Sequence, residues 1–272
     1  DLNGALTSMF GPDPLGLLSV VVLTSLGVWG MPQMIHKFYA IKDERSIRLG
    51  TVISTVFAVF IACGAYFMGG FGRLFYNADP VVFDDIVPSM LTKTLPDILI
   101  GVVLLVVLSA SISTLASLVL TSSSTVVKDF LGSFTDKIKD KTALIMIRSF
   151  CVMFIILSVL IAAYPNSMIT TLMGLSWGAL AGSFLGPFIY GLFWKRTTKL
   201  ACWVSMIFAV GFIVSNVFLK FTTASFAGAA AMIASLIIVP LVSLVTPRLS
   251  KKTVENAFKA YHTSVETIKK SA

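Results

Sequence analysis

Hydroxyl side chains crowd one apolar stretch of the chain, GVVLLVVLSASISTLASLVLTSSSTVVKDF, at residues 101–130. Within it Ala110, Ser113 and Thr114 stand at positions i, i+3 and i+4, so a helix places them on one face. A carbonyl of Ala110 tilted off the helix and the two hydroxyls would offer three neutral oxygen atoms. Such oxygens suit a desolvated monovalent cation, because the ion is bound without a buried carboxylate and is released again. The alternative is that each hydroxyl bonds to a carbonyl of its own helix or packs against a neighbouring helix.

A second stretch, LTSLGVWGMPQMIHKF at residues 23–38, contains a cluster of residues that interrupt helices. Gly27, Gly30 and Pro32 fall within it, a combination that kinks or unwinds a helix. Transporters use such discontinuous helices to present backbone donors and acceptors to a substrate. Trp29 and Gln33 flank the expected break and are candidates for lining a substrate path, although Gln33 is equally suited to hydrogen bonding between helices.

A third stretch, LMGLSWGALAGSFLGPFIYGLFWKR at residues 172–196, has glycines at every fourth position. They share one helical face: Gly174, Gly178, Gly182 and Gly186. The simpler interpretation is a stripe of small residues that allows close contact with another helix. The alternative is that Ser176 and Trp177 face a substrate path.

Other chemistry finds little support in the sequence. No apolar stretch has Asp, Glu, Lys or Arg near its centre, which argues against a proton relay. The sequence lacks the catalytic motifs of metalloproteases, serine hydrolases and P-loop enzymes. Cys63, Cys151 and Cys202 are isolated and lack the spacing of a metal site. We therefore predict a protein that is not an enzyme and has no cofactor.

The composition places these stretches in a membrane. Of the 272 residues, 56% are hydrophobic and 12% are charged, and the mean hydropathy is +0.91. The charged share is about half that of an ordinary soluble domain. The apolar residues fall in blocks long enough for helices to cross a bilayer. We predict an all-α membrane protein with seven spans, at residues 14–38, 49–75, 96–127, 143–164, 168–193, 198–219 and 225–246.

The basic residues indicate the orientation of these spans. All Lys and Arg residues except Arg73, Lys93 and Lys220 fall in alternate connections or in the tail. The positive-inside rule therefore places residues 1–13 outside and the tail, residues 247–272, in the cytoplasm. We predict a multi-pass protein of the cell membrane. The net charge of +8 is then explained by topology and by contact with the lipid bilayer, without nucleic acid as a partner.

Together these segments resemble the sodium/solute symporter family. The resemblance runs from Gly27 to Trp203 and includes the hydroxyl-rich segment, which ends in the acidic and aromatic pair Asp129 and Phe130. This segment is similar to the sodium-binding helix of the family. The resemblance implies that the Ala110 carbonyl and the hydroxyls of Ser113 and Thr114 bind sodium.

The resemblance also implies a leucine-transporter-type fold, with two inverted five-helix repeats. Residues 14–194 would form the second repeat, and residues 195–246 two accessory helices. The first repeat would come from a missing N-terminal half, on the same or another chain, and would complete the sodium site. We expect that this chain does not transport by itself.

The resemblance is closer to the pantothenate-type branch than to the proline-type branch. Proline carriers typically have aromatic residues where Thr24 and Val28 stand, and they differ at Met31-Pro32-Gln33. The predicted function is sodium-coupled symport of a small organic solute, a carboxylate such as pantothenate or an amino acid, by alternating access. The alternative is a transporter-like sensory module coupled to a signalling partner.

Overall fold

The chain is almost entirely helical in the computed structural model, which describes residues 11, 13–38, 41, 43–75, 83–134, 139–163 and 169–259. The predicted segment 1–13 lies mostly outside the described residues, as does the end of the tail. The α-helices are, in chain order, α1 (Pro14–Gly30), α2 (Pro32–Phe38), α3 (Glu44–Phe75), α4 (Ile86–Thr94), α5 (Asp97–Ser124), α6 (Gly132–Phe134), α7 (Asp140–Ala162), α8 (Ile169–Phe193), α9 (Lys199–Leu219), α10 (Ala224–Val245) and α11 (251–259). A 3₁₀ turn, Phe83–Asp85, precedes α4, and a π-helical segment, Thr125–Leu131, joins α5 to α6.

Among the described residues, six helical stretches are long and apolar enough to cross a membrane: Glu44–Gly72, Asp97–Phe134, Asp140–Ala162, Ile169–Phe193, Lys199–Leu219 and Ala224–Val245. They coincide with six of the seven apolar windows of the sequence. The first window differs, because it contains a 17-residue helix and a 7-residue helix separated at Met31. The prediction of an all-α membrane protein is confirmed, and a further short helix, α4, lies between the second and third windows.

The helices group into two compact units, one of residues 1–36 and 169–272 and the other of residues 37–168. In the first unit α8, α9 and α10 pack against one another, and α1 packs on α8 and α10. One buried cluster in this unit contains Leu23, Ala181, Leu185 and Met232. The grouping cuts across the predicted repeat at residues 14–194, so the assignment of repeat and accessory helices stays a prediction.

In the second unit, α5 packs against α7 and α3 against α4. The apolar surface of α3 is extensive: Phe60 and Tyr66 are 76% and 83% exposed within the chain. In α3, α5 and α7, none of the residues of the most apolar stretch is buried by other residues that the structure describes. Apolar surface of this extent requires lipid or further protein to cover it.

Helix ends in the first unit follow ordinary capping rules. Thr198 precedes α9 and its hydroxyl accepts a hydrogen bond from the Ala201 N–H at 3.4 Å. Thr223 precedes α10 and accepts from the Phe226 N–H at 3.4 Å. These side chains satisfy N–H groups that have no partner within the helix. Both helices therefore begin at a capping threonine that follows a short connection.

Candidate functional site

The predicted sodium ligands lie in the middle of α5, which is a continuous α-helix through all three of them. The Thr114 hydroxyl donates a hydrogen bond to the Ala110 carbonyl oxygen at 3.1 Å. This bond to the helix's own backbone is the alternative that the sequence left open, and it also places two of the three candidate oxygens side by side. At that separation both oxygens can contact one ion if the hydroxyl proton turns away. Ser113 adjoins Thr114 on the same turn.

The rotation of α5 places these oxygens away from its packed side. Val119 and Ser123 are the buried residues of α5, and Cys151 of α7 contacts the Val119 carbonyl, with its Sγ at 3.9 Å. At about 100° per residue, Ala110 and Thr114 lie about 160° around the helix from the middle of that packed side. Ser113 lies about 100° from it. The candidate ligands therefore face away from α7.

All three candidate residues are exposed within the chain. The same unpacked side of α5 carries the hydroxyls of Ser117 and Thr121, and Thr121 bonds to the Ser117 carbonyl at 2.8 Å. The helix has no Asp, Glu, Lys or Arg between Asp97 and Lys128. The available ligands on this side are therefore neutral oxygens. In the described part of the chain, no group of three or more His, Cys, Asp or Glu is arranged to hold a metal.

The helix break expected in the second stretch is present at Met31. This residue is extended, with φ −85° and ψ 119°, and is 2% exposed. Proline at position 32 disfavours helical geometry in the residue before it and fits the first turn of the following helix. The Met31 carbonyl accepts from the Met34 N–H at 3.0 Å and so begins α2. Because α1 ends at the break, its last carbonyls lack the N–H partners that a continuous helix would supply one turn further along.

Two of the glycines near the break pack directly on α8. A Cβ at Gly27 would lie 3.0 Å from the Trp177 ring, and a Cβ at Gly30 would lie 2.9 Å from the Cα of Ala181. Trp177 is half-buried and packs against the cluster around Leu23. The structure therefore brings Gly27, Gly30 and Trp177 together as a close helix contact in the first unit. The absence of side chains on the glycines permits this contact.

The remaining substrate-path candidates are more accessible. Trp29 is 63% exposed, and Ser176 is exposed on α8. Gln33 is half-buried, and its Nε2 donates to the Met31 sulfur at 3.2 Å. Gln33 therefore contacts the residue at the break itself. Trp29 and Gln33 flank the break, as the sequence predicted. They belong to the first unit, and the α5 oxygens belong to the second.

The glycine stripe of α8 packs against α10. A Cβ at Gly174 would lie 2.7 Å from the backbone of Ala224, and one at Gly178 would lie 2.5 Å from the Cα of Gly228. All four glycines of the stripe are buried. The simpler interpretation of this stripe, close contact between helices, is confirmed for them.

A polar junction that the sequence analysis missed joins α8, α9 and α10. The buried Ser235 hydroxyl accepts from the Gly186 N–H at 3.0 Å and from the Ser205 hydroxyl at 3.0 Å. Ser205 and Ser235 are 0% and 1% exposed. Each of these two apolar helices contains more than one serine, and the sequence does not reveal that Ser205 and Ser235 are partners. Buried hydroxyls between membrane helices commonly bond across the interface.

Comparison with known proteins gives a consistent result. The family model described as the sodium:solute symporter family matches residues 5–211. The sodium/pantothenate symporter of Haemophilus influenzae is 27% identical over 78% of this chain and 45% of that protein. The corresponding protein of Escherichia coli is 29% identical over 72% of the chain and 41% of its own length. The osmoregulated proline transporter OpuE of Bacillus subtilis is 24% identical over 99% of the chain and 55% of its length.

The chain thus spans about half the length of the curated relatives it matches. No solved structure matches it. The family and these relatives are transporters, not enzymes, and the apolar helices are those of a multi-pass membrane protein. Since the family model covers well over half of the 272 residues, the chain belongs to the sodium:solute symporter family.

Proposed function

We propose that this chain is the part of a sodium-coupled symporter that supplies the sodium ligands of α5 and the broken helix α1–α2. The symporter moves a small organic solute by alternating access. The observation that carries the proposal is the pair of adjacent oxygens on α5, Thr114 Oγ1 and the Ala110 carbonyl, 3.1 Å apart on a side that faces away from α7. Family membership supports the same function independently.

The chemistry of these oxygens fits a coupling ion. Ala110, Ser113 and Thr114 offer neutral ligands only, so binding compensates for the lost hydration of Na⁺ without holding the ion by a full opposite charge. A coupling ion must be released in every transport cycle, and weak neutral ligands allow this. The three oxygens occupy one side of a single helix, so the remaining ligands are proposed to come from the first repeat of the fold.

The break at Met31 provides the second part of the mechanism. Unwound backbone at membrane depth is tolerated where it is buried in protein or lines a water-filled cavity. In transporters of this architecture, discontinuous helices bind substrate and ions near mid-membrane. Trp29 and Gln33 flank the break, and Ser176 with Trp177 lies on α8, the helix against which α1 packs. We propose these four residues, with Gly27 and Gly30, as part of the substrate path.

Residues 14–194 are proposed to form the second five-helix repeat of a leucine-transporter-type fold, followed by accessory helices within residues 195–246. The missing N-terminal half would supply the first repeat. In this arrangement residues 1–13 lie outside the cell and residues 247–272 in the cytoplasm, as the distribution of Lys and Arg favours.

The solute is proposed to be a small carboxylate, with pantothenate favoured over proline. Both kinds of symporter occur among the relatives, at similar identity. The residues at Thr24 and Val28 and the sequence around the break differ from the proline-type pattern. Sodium-dependent uptake of labelled pantothenate by the whole transporter, with labelled proline as the comparison, tests this choice. Uptake of proline alone would contradict it.

The sodium site is tested by a double substitution, Ser113→Ala with Thr114→Ala, in the whole transporter that contains these residues. A polar contact to a charged group contributes about 1.5–3 kcal/mol, so the loss of even one ligand lowers the apparent sodium affinity roughly 10- to 150-fold. The measurement is solute uptake by proteoliposomes as a function of sodium concentration. Uptake at saturating sodium is expected to change less than uptake at limiting sodium.

The matched control is Ser149→Ala with Ser158→Ala on α7. Both hydroxyls are exposed and donate to the carbonyl four residues earlier, at 3.1 and 2.8 Å, as Thr114 does. The control is expected to retain the sodium dependence of the unmodified protein. Thr114→Ser keeps a hydroxyl and is expected to retain most of the affinity. Unchanged uptake by the Ser113 and Thr114 double variant at limiting sodium refutes the assigned ligands.

A further inference from the structure

A basic cleft lies where the connection between α8 and α9 meets α11. It has a volume of about 630 Å³. Its charged and aromatic lining includes four cations, one carboxylate and one phenyl ring: Lys195, Arg196, Arg248, Lys251, Glu255 and Phe258. The cations outnumber the carboxylate, so the cleft attracts anions. These residues belong to one compact unit of the chain.

Arg196, one of the cations that line the cleft, has an unsatisfied donor. Its Nη2 donates to the Leu244 carbonyl oxygen at 2.9 Å, which fixes the position of the guanidinium group. Its Nε is buried and has no hydrogen-bond acceptor among the residues that the structure describes. A buried donor without an acceptor, on a charged group, is costly. Arg196 lines the cleft, and guanidinium groups bind phosphate oxygens particularly well.

The cleft stands at the ends of two apolar helices. Its lining includes Trp194, which directly follows the end of α8 at Phe193. The second helix, α10, ends at Val245, next to Leu244, whose carbonyl oxygen accepts the hydrogen bond from Arg196. Tryptophan and basic residues at such positions are typical of the boundary between hydrocarbon and headgroups. Lys195 also lies over the Phe258 ring, with its Nζ 5.5 Å from the ring centroid, which connects α11 to the cleft.

We propose that the basic cleft binds the phosphate group of an anionic phospholipid. Basic pockets beside membrane helices on the cytoplasmic side bind anionic headgroups. A lipid fits this location better than free phosphate, because its acyl chains can lie along the apolar surfaces of α8 and α10 while the phosphate meets the cations. The proposal concerns lipid binding alone and does not rest on sodium-coupled transport.

The test compares two double variants that remove the same charge. Arg248→Gln with Lys251→Gln removes two cations of the cleft, whereas Lys199→Gln with Lys252→Gln removes two exposed cations beside it. Each chain, purified in detergent, is titrated with phosphatidylglycerol, and bound lipid is measured by native mass spectrometry. At about fivefold in affinity for each basic residue, the cleft variant is expected to bind roughly 30-fold more weakly than the unmodified chain. The control pair is expected to bind nearly as well as the unmodified chain.

Three further results decide the proposal. The unmodified chain must bind phosphatidylglycerol in preference to phosphatidylcholine, and equal binding overturns the proposal whatever the variants do. An equal loss in both double variants overturns it as well, since that indicates non-specific attraction. If excess inorganic phosphate displaces the lipid and the affinity does not depend on the acyl chains, free phosphate is the ligand and the lipid assignment is overturned. Elution profiles of both variants check that they are folded.

Discussion

The contact between α8 and α10 at Gly178 makes a quantitative prediction. An alanine Cβ there would lie 2.5 Å from the Cα of Gly228 and 2.9 Å from Cδ1 of Ile213. Carbon atoms in favourable contact are about 3.5–4.0 Å apart. The backbone of Gly228 cannot rotate away as a side chain can, so Gly178→Ala must separate the two helices by about 1 Å. A gap of that size removes a quarter to a half of the dispersion energy of the atoms along the contact.

The expected cost is about 2 kcal/mol, within the range for overpacking a well-packed interior. For a chain of this size that corresponds to a fall of about 4–8 °C in the thermal midpoint. The assay is the fraction of monodisperse protein that remains after heating in detergent, measured over a series of temperatures.

Gly211→Ala is the matched control for this prediction. Gly211 is exposed on α9, and a Cβ there would meet nothing within 4 Å. Alanine favours helix over glycine by about 1 kcal/mol in a helix interior, so the control is expected to leave the thermal midpoint unchanged or to raise it. Equal midpoints for Gly178→Ala and Gly211→Ala would refute the close packing of α8 on α10.

Three further outcomes are expected. Ser235→Ala removes the acceptor shared by the Gly186 N–H and the Ser205 hydroxyl and is expected to lower the free energy of unfolding by about 1 kcal/mol in the same heating assay. Ser158→Ala removes an exposed hydrogen bond within one helix and is expected to have almost no effect. Hydrogen bonds from Ser46 hold the pKa of the exposed Asp43 carboxyl below its ordinary value of 3.8. The stabilising contribution of the Asp43 carboxylate is therefore complete above pH 3.8 and is lost as the pH falls through the lowered pKa. Ser46→Ala is expected to raise the pKa of Asp43 in an NMR titration, and an unchanged pKa contradicts the assigned bonds. Ser250→Cys, in a variant without the native cysteines, is expected to react with a membrane-impermeant maleimide only after cells are opened, and labelling of intact cells contradicts the proposed orientation.

Much of the fold follows from local properties of the sequence. The apolar blocks give the helices, because a chain in lipid must satisfy its backbone hydrogen bonds within each segment. Gly30 and Pro32 locate the helix break to within one or two residues of Met31, since proline restricts the residue before it. The spacing of Ala110, Ser113 and Thr114 places their oxygens on one turn of α5. These features depend on neighbours within about one helical turn.

The rotation of α5 could not be read from the sequence. Apolar residues surround this helix on all sides, so their periodicity does not distinguish a packed side from a lipid-facing side. The structure shows Val119 and Ser123 buried and the sodium candidates on the other side. The direction of the candidate ligands is therefore a tertiary property, set by the contact with α7.

The sequence by itself determined where the membrane helices and their break lie and which face of α8 carries the glycines. It also predicted which oxygens bind a monovalent cation. Only the tertiary structure decided that Gly27 lies against Trp177, that Ser235 joins Gly186 to Ser205, and that Arg196 is held at the basic cleft. The physical reason is distance along the chain. Helical periodicity fixes relations within a few residues, whereas contacts between residues separated by 30 to 150 positions depend on how whole helices pack.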